Sequence, residues 1–231
     1  MNPIFRKILH ISCAKPLDGA MQMAIDELLM AEAEDVIFRD YSWAFPTISI
    51  GYFGTSAEVI SSASRETNPA RDFVRRPTGG GMVEHGQGSD YTYSIIVPAR
   101  EARILGLRPR ASYRAIHGAL SQVLQTSGLD ARLAEEGGEG AGGQACFVNP
   151  VGDDLLLDGK KIAGAGQKRS RGAILHQGSV QPVALPDEFG AVFAAALAED
   201  VEQVALDRNL LSRAEALAES KFRRPEWNCR R

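Results

Sequence analysis

Arg75-Arg76-Pro77-Thr78-Gly79-Gly80-Gly81-Met82-Val83-Glu84-His85, followed by Tyr91-Thr92-Tyr93-Ser94, is the stretch on which the fold turns. Phe73-Val74 ahead of it and Tyr91–Val97 after it read as strands, so the glycines form a loop held between strands. Three consecutive glycines leave main-chain N–H groups without a shielding Cβ, which lets an anionic or carbonyl oxygen come close. The two arginines ahead are placed to neutralise a carboxylate or phosphate held there. Taken alone, Gly-Gly-Gly equally fits a plain hinge beside solvated arginines. The rest of the chain separates the two readings.

Working outward, 231 residues suit one large domain with its own core, or two small ones. A charged fraction of 24% against 44% hydrophobic excludes a disordered or fibrous chain. The net charge of −3 gives no electrostatic footprint for nucleic acid. No apolar run reaches the length of a membrane span, and Ile8-Leu9-His10-Ile11 is too short for a secretory core, so it reads as a first strand. Cys13, Cys146 and Cys229 are far apart and odd in number, against a disulfide framework and in favour of a reducing cytoplasm.

Helix and strand signals alternate irregularly, which predicts mixed α and β structure without a strict βαβ repeat. Met21, Ile25, Leu28 and Leu29 mark an amphipathic helix capped by Asp18, with Asp26 and Glu27 on its wet face. Thr47 to Tyr52 alternates as a strand. Ser112 is placed to cap a helix carrying Ile116, Leu120, Val123 and Leu124, with His117 at its surface or core edge. Glu135 to Gly143, rich in glycine, reads as a loop or lid. Asp158-Gly159 is a two-residue hairpin signal. That turn sets Lys161 opposite Leu156, on one face with Asp154 and Ala163, and sends Leu155, Leu157 and Ile162 to the core. From Asp187 to Phe222 the chain reads as helical, with Phe189, Val192, Phe193 and Leu197 in one stripe and Leu210, Leu211, Ala214 and Leu217 in another.

Three ordered blocks carry a family resemblance. Arg75 to His85 matches Arg-Arg-x-[Ser/Thr]-Gly-Gly-Gly-x-Val-x-His at every specified position. Gly159-Lys160-Lys161-Ile162-Ala163-Gly164 is similar to Gly-[Arg/Lys]-Lys-[Ile/Val]-[Ala/Ser]-Gly, and His176-Gln177-Gly178-Ser179 to a His-Gly-[Ser/Thr] segment. With weaker similarity from about Met23 to Trp227, the chain resembles the lipoate–protein ligase A and octanoyltransferase family of the biotin/lipoate protein ligase superfamily. Cys146-Phe147-Val148-Asn149-Pro150, fifteen residues before Lys161, looks like the Cys-Phe-x-x-Pro segment of its cysteine-dependent octanoyltransferase branch. Departures from the family pattern stand at Gly54, Ala165-Gly166-Gln167 and His176-Gln177.

The resemblance implies an α+β fold of mixed, largely antiparallel sheets flanked by helices, with residues 1–231 one catalytic domain and no C-terminal accessory domain. It implies Cys146 and Lys161 as catalytic residues. Arg75, Arg76, Thr78, Gly79, Gly80, Gly81, His85, Gly164, His176 and Gly178 form the substrate-binding set, the two histidines chiefly as supports of the pocket. The implied reaction moves an octanoyl or lipoyl group from an acyl carrier protein, through a Cys146 thioester, to one lysine of a lipoyl domain. Such acceptors belong to 2-oxoacid dehydrogenases or the glycine cleavage H protein. This route needs no cofactor. The alternative is an ATP-dependent lipoate–protein ligase acting through lipoyl-AMP, with Asp153 or Asp154 the nearest magnesium ligands. A non-catalytic binder of lipoylated proteins is a third reading, disfavoured by Cys146 and Lys161 together. No Cys/His/carboxylate cluster has structural-zinc spacing.

Overall fold

The computed structural model describes residues 2–13, 15–55, 72–86, 90–134 and 152–230. Within them the strands are β1 (Phe5–Ser12), β2 (Ile37–Tyr41), β3 (Thr47–Ile50), β4 (Asp72–Arg75), β5 (Val83–His85), β6 (Tyr91–Val97), β7 (Arg132–Leu133), β8 (Leu155–Leu157), β9 (Lys160–Ser170), β10 (Ala173–Val180) and β11 (Ala198–Gln203). The helices are α1 (Gly19–Glu32), α2 (Ala99–Ile104), α3 (Pro109–Thr126), α4 (Phe189–Leu197), α5 (Arg208–Leu217) and α6 (Pro225–Asn228), with a π-helical turn at Ala218–Phe222.

Alternation along β6 explains the layering. Tyr93, Ile95 and Val97 enter one apolar core and Ile96 the other, so this strand is buried on both faces. The first core is closed by α3 and α4 through Ile116, Leu120, Leu124, Phe189, Phe193 and Leu197; the second by α1 and Ala214 of α5. Strand order in the larger sheet is β11-β1-β2-β6-β10-β9-β8-β7, and a smaller sheet runs β4-β3-β5. The pairs β11–β1, β1–β2 and β3–β4 are parallel; all the others are antiparallel. This is the mixed α+β architecture that the sequence predicts.

Several local expectations are met. Asp18 caps α1, accepting from the Met21 N–H at 2.8 Å. Asp158 and Gly159 take φ of 51° and 74°, as a two-residue hairpin turn requires, and Leu156 pairs with Lys161. Others are corrected. The third helix starts at Pro109, whose fixed φ suits the first helical turn, and Ser112 lies inside it, donating to the Pro109 carbonyl at 2.7 Å. Val192 is exposed. Ala198–Gln203 is a strand, not helix: its polar-rich, mostly exposed residues hide a main chain that pairs in parallel with β1 at the sheet edge. His117 is buried, and so is Asp26.

Asp26 escapes the helix pattern because it is paired inside the protein. Its carboxylate accepts from Arg39 Nη1 at 2.7 Å, Ser94 Oγ at 2.8 Å and Gln177 Nε2 at 2.7 Å, and Arg39 also donates to Gln22 Oε1. Asp26→Asn leaves the Arg39 guanidinium buried without its counter-charge, so urea unfolding should show a stability loss of about 3–5 kcal/mol with an unchanged m-value.

All four histidines are buried. Burial lowers the pKa of His85, His117 and His176, the last well below its ordinary value. Above about pH 6.5 both folded and unfolded chains hold these rings neutral; below it the unfolded chain takes up protons that the folded one refuses. Stability therefore falls with pH from about 6.5 downward to the folded-state pKa values. Melting temperature should drop between about pH 7 and pH 5, and His176→Gln should flatten that dependence.

Candidate active site

The site is built on a bulge. Leu156 pairs with Lys161 but Leu155 pairs with Ala163, so β9 carries one extra residue. Ile162 and Ala163 both enter the core with Leu155, which corrects the expectation that Ala163 shares a face with Lys161. Lys161 and Gly164, three apart, consequently lie together: a Cβ on Gly164 would stand 2.6 Å from Lys161 Cε and 2.8 Å from its Nζ. The Lys161 ammonium is almost completely buried and meets Asp154 Oδ2 at 2.7 Å. A charge this far from water needs such a partner.

The glycine loop is seated on two further glycines. A Cβ at Gly51 would collide with the Gly80 carbonyl, and one at Gly166 with the Gly79 carbonyl. Gly80 has φ of 98°, which L side chains rarely adopt. Thr78 is buried and donates to Gln177 Oε1 at 2.8 Å. Because Gln177 Nε2 must donate to the Asp26 carboxylate, its oxygen is the end left for Thr78. The loop is thereby tied through Gln177 to the buried Asp26–Arg39 pair.

The two arginines act on the protein itself. Arg75 is fully buried, and its guanidinium donates to the carbonyls of Gly51, Tyr52 and Gly54 on one side and of Trp227, Asn228 and Arg230 on the other. Arg75, expected in the substrate-binding set, engages these six carbonyls as a staple at the base of the loop. Arg76 donates to the carbonyls of Ser49, Gly79 and Gly81, drawing the loop's oxygens toward itself, and to Ser49 Oγ at 2.7 Å.

From Ser49 a chain of hydrogen bonds continues to His85 Nε2 at 2.7 Å and from His85 Nδ1 to Asp90 Oδ2 at 3.0 Å. The carboxylate requires Nδ1–H, so Nε2 accepts the Ser49 proton. Asp90 also takes Ser179 Oγ at 2.8 Å, and Trp43 stacks on the His85 ring at 4.2 Å. His176 is similarly enclosed: Gln167 Nε2 donates to its Nδ1 at 3.0 Å, and its Nε2 lies 3.4 Å from the Tyr93 hydroxyl. Each ring, expected as a support of the pocket, is enclosed by protein partners on both nitrogens. Gly178 admits the Tyr93 phenol, which a Cβ there would strike.

Two spaces meet at Ala165. An inner slot is lined by Met23, Tyr41, Trp43, Val83 and Thr92 opposite Gly164, Gly166 and Gln177; at about 30 Å³ of free space it is nearly closed. An outer cleft of about 730 Å³ is bounded by Gly79, Gly80, Arg110, Tyr113, Asp153 and Asp154. Lys161 and Asp154 stand beside Gly164, where slot and cleft adjoin.

Asp153 and Asp154, named above as magnesium ligands, each face a cation: Asp154 Lys161, and Asp153 the Arg110 Nε at 3.5 Å. Among the described residues no three His, Cys, Asp or Glu side chains converge as a cation set. Cys146 and the Glu135–Gly143 loop lie outside the described residues. Sequence reasoning missed Asp26 and Asp90, which organise the site from beneath. Asp90 had a signal, five residues beyond His85; Asp26 had none, since helical spacing placed it outside.

The described residues contain no helix long and apolar enough to cross a membrane. In comparison with known proteins, residues 18–206 match the lipoyl protein ligase A/B catalytic domain. Octanoyltransferase LipM of Kyrpidia tusciae is 35% identical over 70% of this chain and 61% of its own length. The Bacillus subtilis LipM is 34% identical over 70% and 60%, and that of Brevibacillus brevis 29% over 93% and 96%. In most of the relatives first matched, then, the aligned region spans about 60% of the relative. The fold is that of a solved lipoate-protein ligase A bound with ATP (TM-score 0.74, 20% identity, 97% and 98% of the two chains covered). It is also that of a bipartite lipoate protein ligase of Thermoplasma acidophilum (TM-score 0.69, 19% identity, 97% and 96% covered). On the match across residues 18–206, the chain belongs to the lipoyl protein ligase A/B catalytic domain family.

Proposed function

We propose that the protein transfers an octanoyl group to a lysine of a lipoyl domain, by way of a thioester on Cys146. The observation that carries this reading is the buried Lys161 ammonium, held by Asp154 and packed against Gly164, which lines the slot. Its relatives' name as octanoyltransferases supports it.

The Cys146 thiolate attacks the thioester carbonyl of an acyl carrier protein; the C–S bond to the carrier breaks, and its thiolate leaves and takes a proton from water. The neutral ε-amine of the acceptor lysine then attacks the Cys146 thioester; the amide forms, Cys146 leaves as thiolate, and the amine's proton passes to water. In each step negative charge develops on the acyl oxygen. In this reading Lys161 is the cation that receives it, while Arg76 holds the loop through the Gly79 and Gly81 carbonyls. The eight-carbon chain belongs in the apolar slot, stabilised by roughly 0.8 kcal/mol per buried methylene. Entry requires the slot to widen, and the unbranched Met23 on its wall is suited to move.

The alternative, activation of lipoate by ATP, uses the same loop for phosphate and leaves Cys146 without a part. What supports this second reading is the outer cleft of about 730 Å³ beside Gly79, Gly80 and Arg110.

Intact mass after mixing with octanoyl-acyl carrier protein, without ATP, should show a hydroxylamine-labile octanoyl adduct that Cys146→Ala abolishes. Lys161→Ala should slow its formation by about 100-fold or more. Labelling of a lipoyl domain by free lipoate that needs ATP and survives Cys146→Ala would overturn the thioester route and establish the ligase.

A further inference from the structure

One buried group has no part in the scheme above. His117, on α3, is 1% exposed. Its Nδ1 lies 2.5 Å from the Asp153 carbonyl oxygen, an acceptor, so Nδ1 carries the proton. Burial keeps the ring neutral, and Nε2 is left as a bare acceptor with no hydrogen-bond partner among the described residues. Enclosing that nitrogen is unfavourable, and an apolar side chain in its place would avoid the cost. The compensating feature is the bond from Nδ1. It closes on a residue at φ of 73°, in the left-handed region, immediately before Asp154. Asp154 in turn holds Lys161 at 2.7 Å. The ring itself is fixed edge-on to His176, with centroids 5.4 Å apart.

We infer that His117 is a positioning residue of the transfer reaction: its Nδ1–H pins the left-handed turn at Asp153 and so sets the Asp154 carboxylate against the Lys161 ammonium. This inference rests on the acyl-transfer reading for its kinetic consequence but not for its geometric one. The imidazole acts two residues removed from the acyl group, through a carboxylate, and touches no substrate.

Two isosteres separate the ring's two nitrogens. His117→Asn presents an N–H where Nδ1 stood; His117→Gln presents it where Nε2 stood. The pair is compared at a temperature where both are folded by circular dichroism. With octanoyl-acyl carrier protein, His117→Gln should lower kcat about 10- to 100-fold with KM for the donor unchanged, and His117→Asn should restore it to within about threefold. Independently of turnover, acetic anhydride followed by peptide mass spectrometry should modify Lys161 several times faster in His117→Gln than in the parent or His117→Asn. Equal labelling of Lys161 in both variants and the parent would overturn the inference, whatever the kinetics. Faster labelling in His117→Gln alone, in a protein that forms no octanoyl adduct, would keep the geometry and dismiss the acyl-transfer reading instead.

Discussion

The Asp26 carboxylate, sealed from water between α1 and the large sheet, is the interaction on which the remaining structure depends. It compensates the Arg39 charge on β2, holds Ser94 on β6, and fixes which way round the Gln177 amide sits on β10. Three adjacent strands and a helix are thereby keyed to one carboxylate. The same amide presents its oxygen to Thr78, so the small sheet's glycine loop is registered against the large sheet by a polar contact and not by apolar packing alone. A buried ion pair is a poor source of net stability, but it is effective at excluding other arrangements, because any alternative leaves a charge unpaired.

Steric economy does the rest. Gly51, Gly166, Gly178 and Gly164 each stand where a methyl group would meet the loop carbonyls, the Tyr93 phenol or the Lys161 side chain. The backbone of the loop can therefore lie directly on β3 and β9. What lines the site on that side is main chain, which cannot rotate away, and this makes the loop a rigid surface despite its three glycines.

Much of this was legible in the sequence. The strands flanking the glycine loop, the Asp18 cap, the Asp158-Gly159 turn and the Leu156–Lys161 register follow from period and turn chemistry, and those features alone bring Lys161 out of the first core. The bulge after Lys161 was not legible, since one extra residue in a strand changes no composition or alternation that could be read in advance. Asp26 was hidden for a different reason. Helical spacing says which residues share a face, not whether a second buried charge waits opposite, and Arg39 is thirteen residues away on another element. Arg75 and Arg76 illustrate a third limit: a motif marks where guanidinium groups are needed without saying whether their acceptors are ligand or main chain. Ala198–Gln203 was missed because a charged edge strand is recognisable only by the neighbour that it pairs with.

Arg75 joins parts of the chain that are made at very different times. Its hydrogen bonds reach back to Gly51, Tyr52 and Gly54 and forward to Trp227, Asn228 and Arg230, across some of the longest separations in the molecule. During synthesis the loop's base must wait for those last partners to leave the ribosome, while most strands of the large sheet already have theirs. Until residues 227 to 230 have been made, the base of the loop lacks three of its carbonyl partners, so its foundation is a late-formed part of the fold.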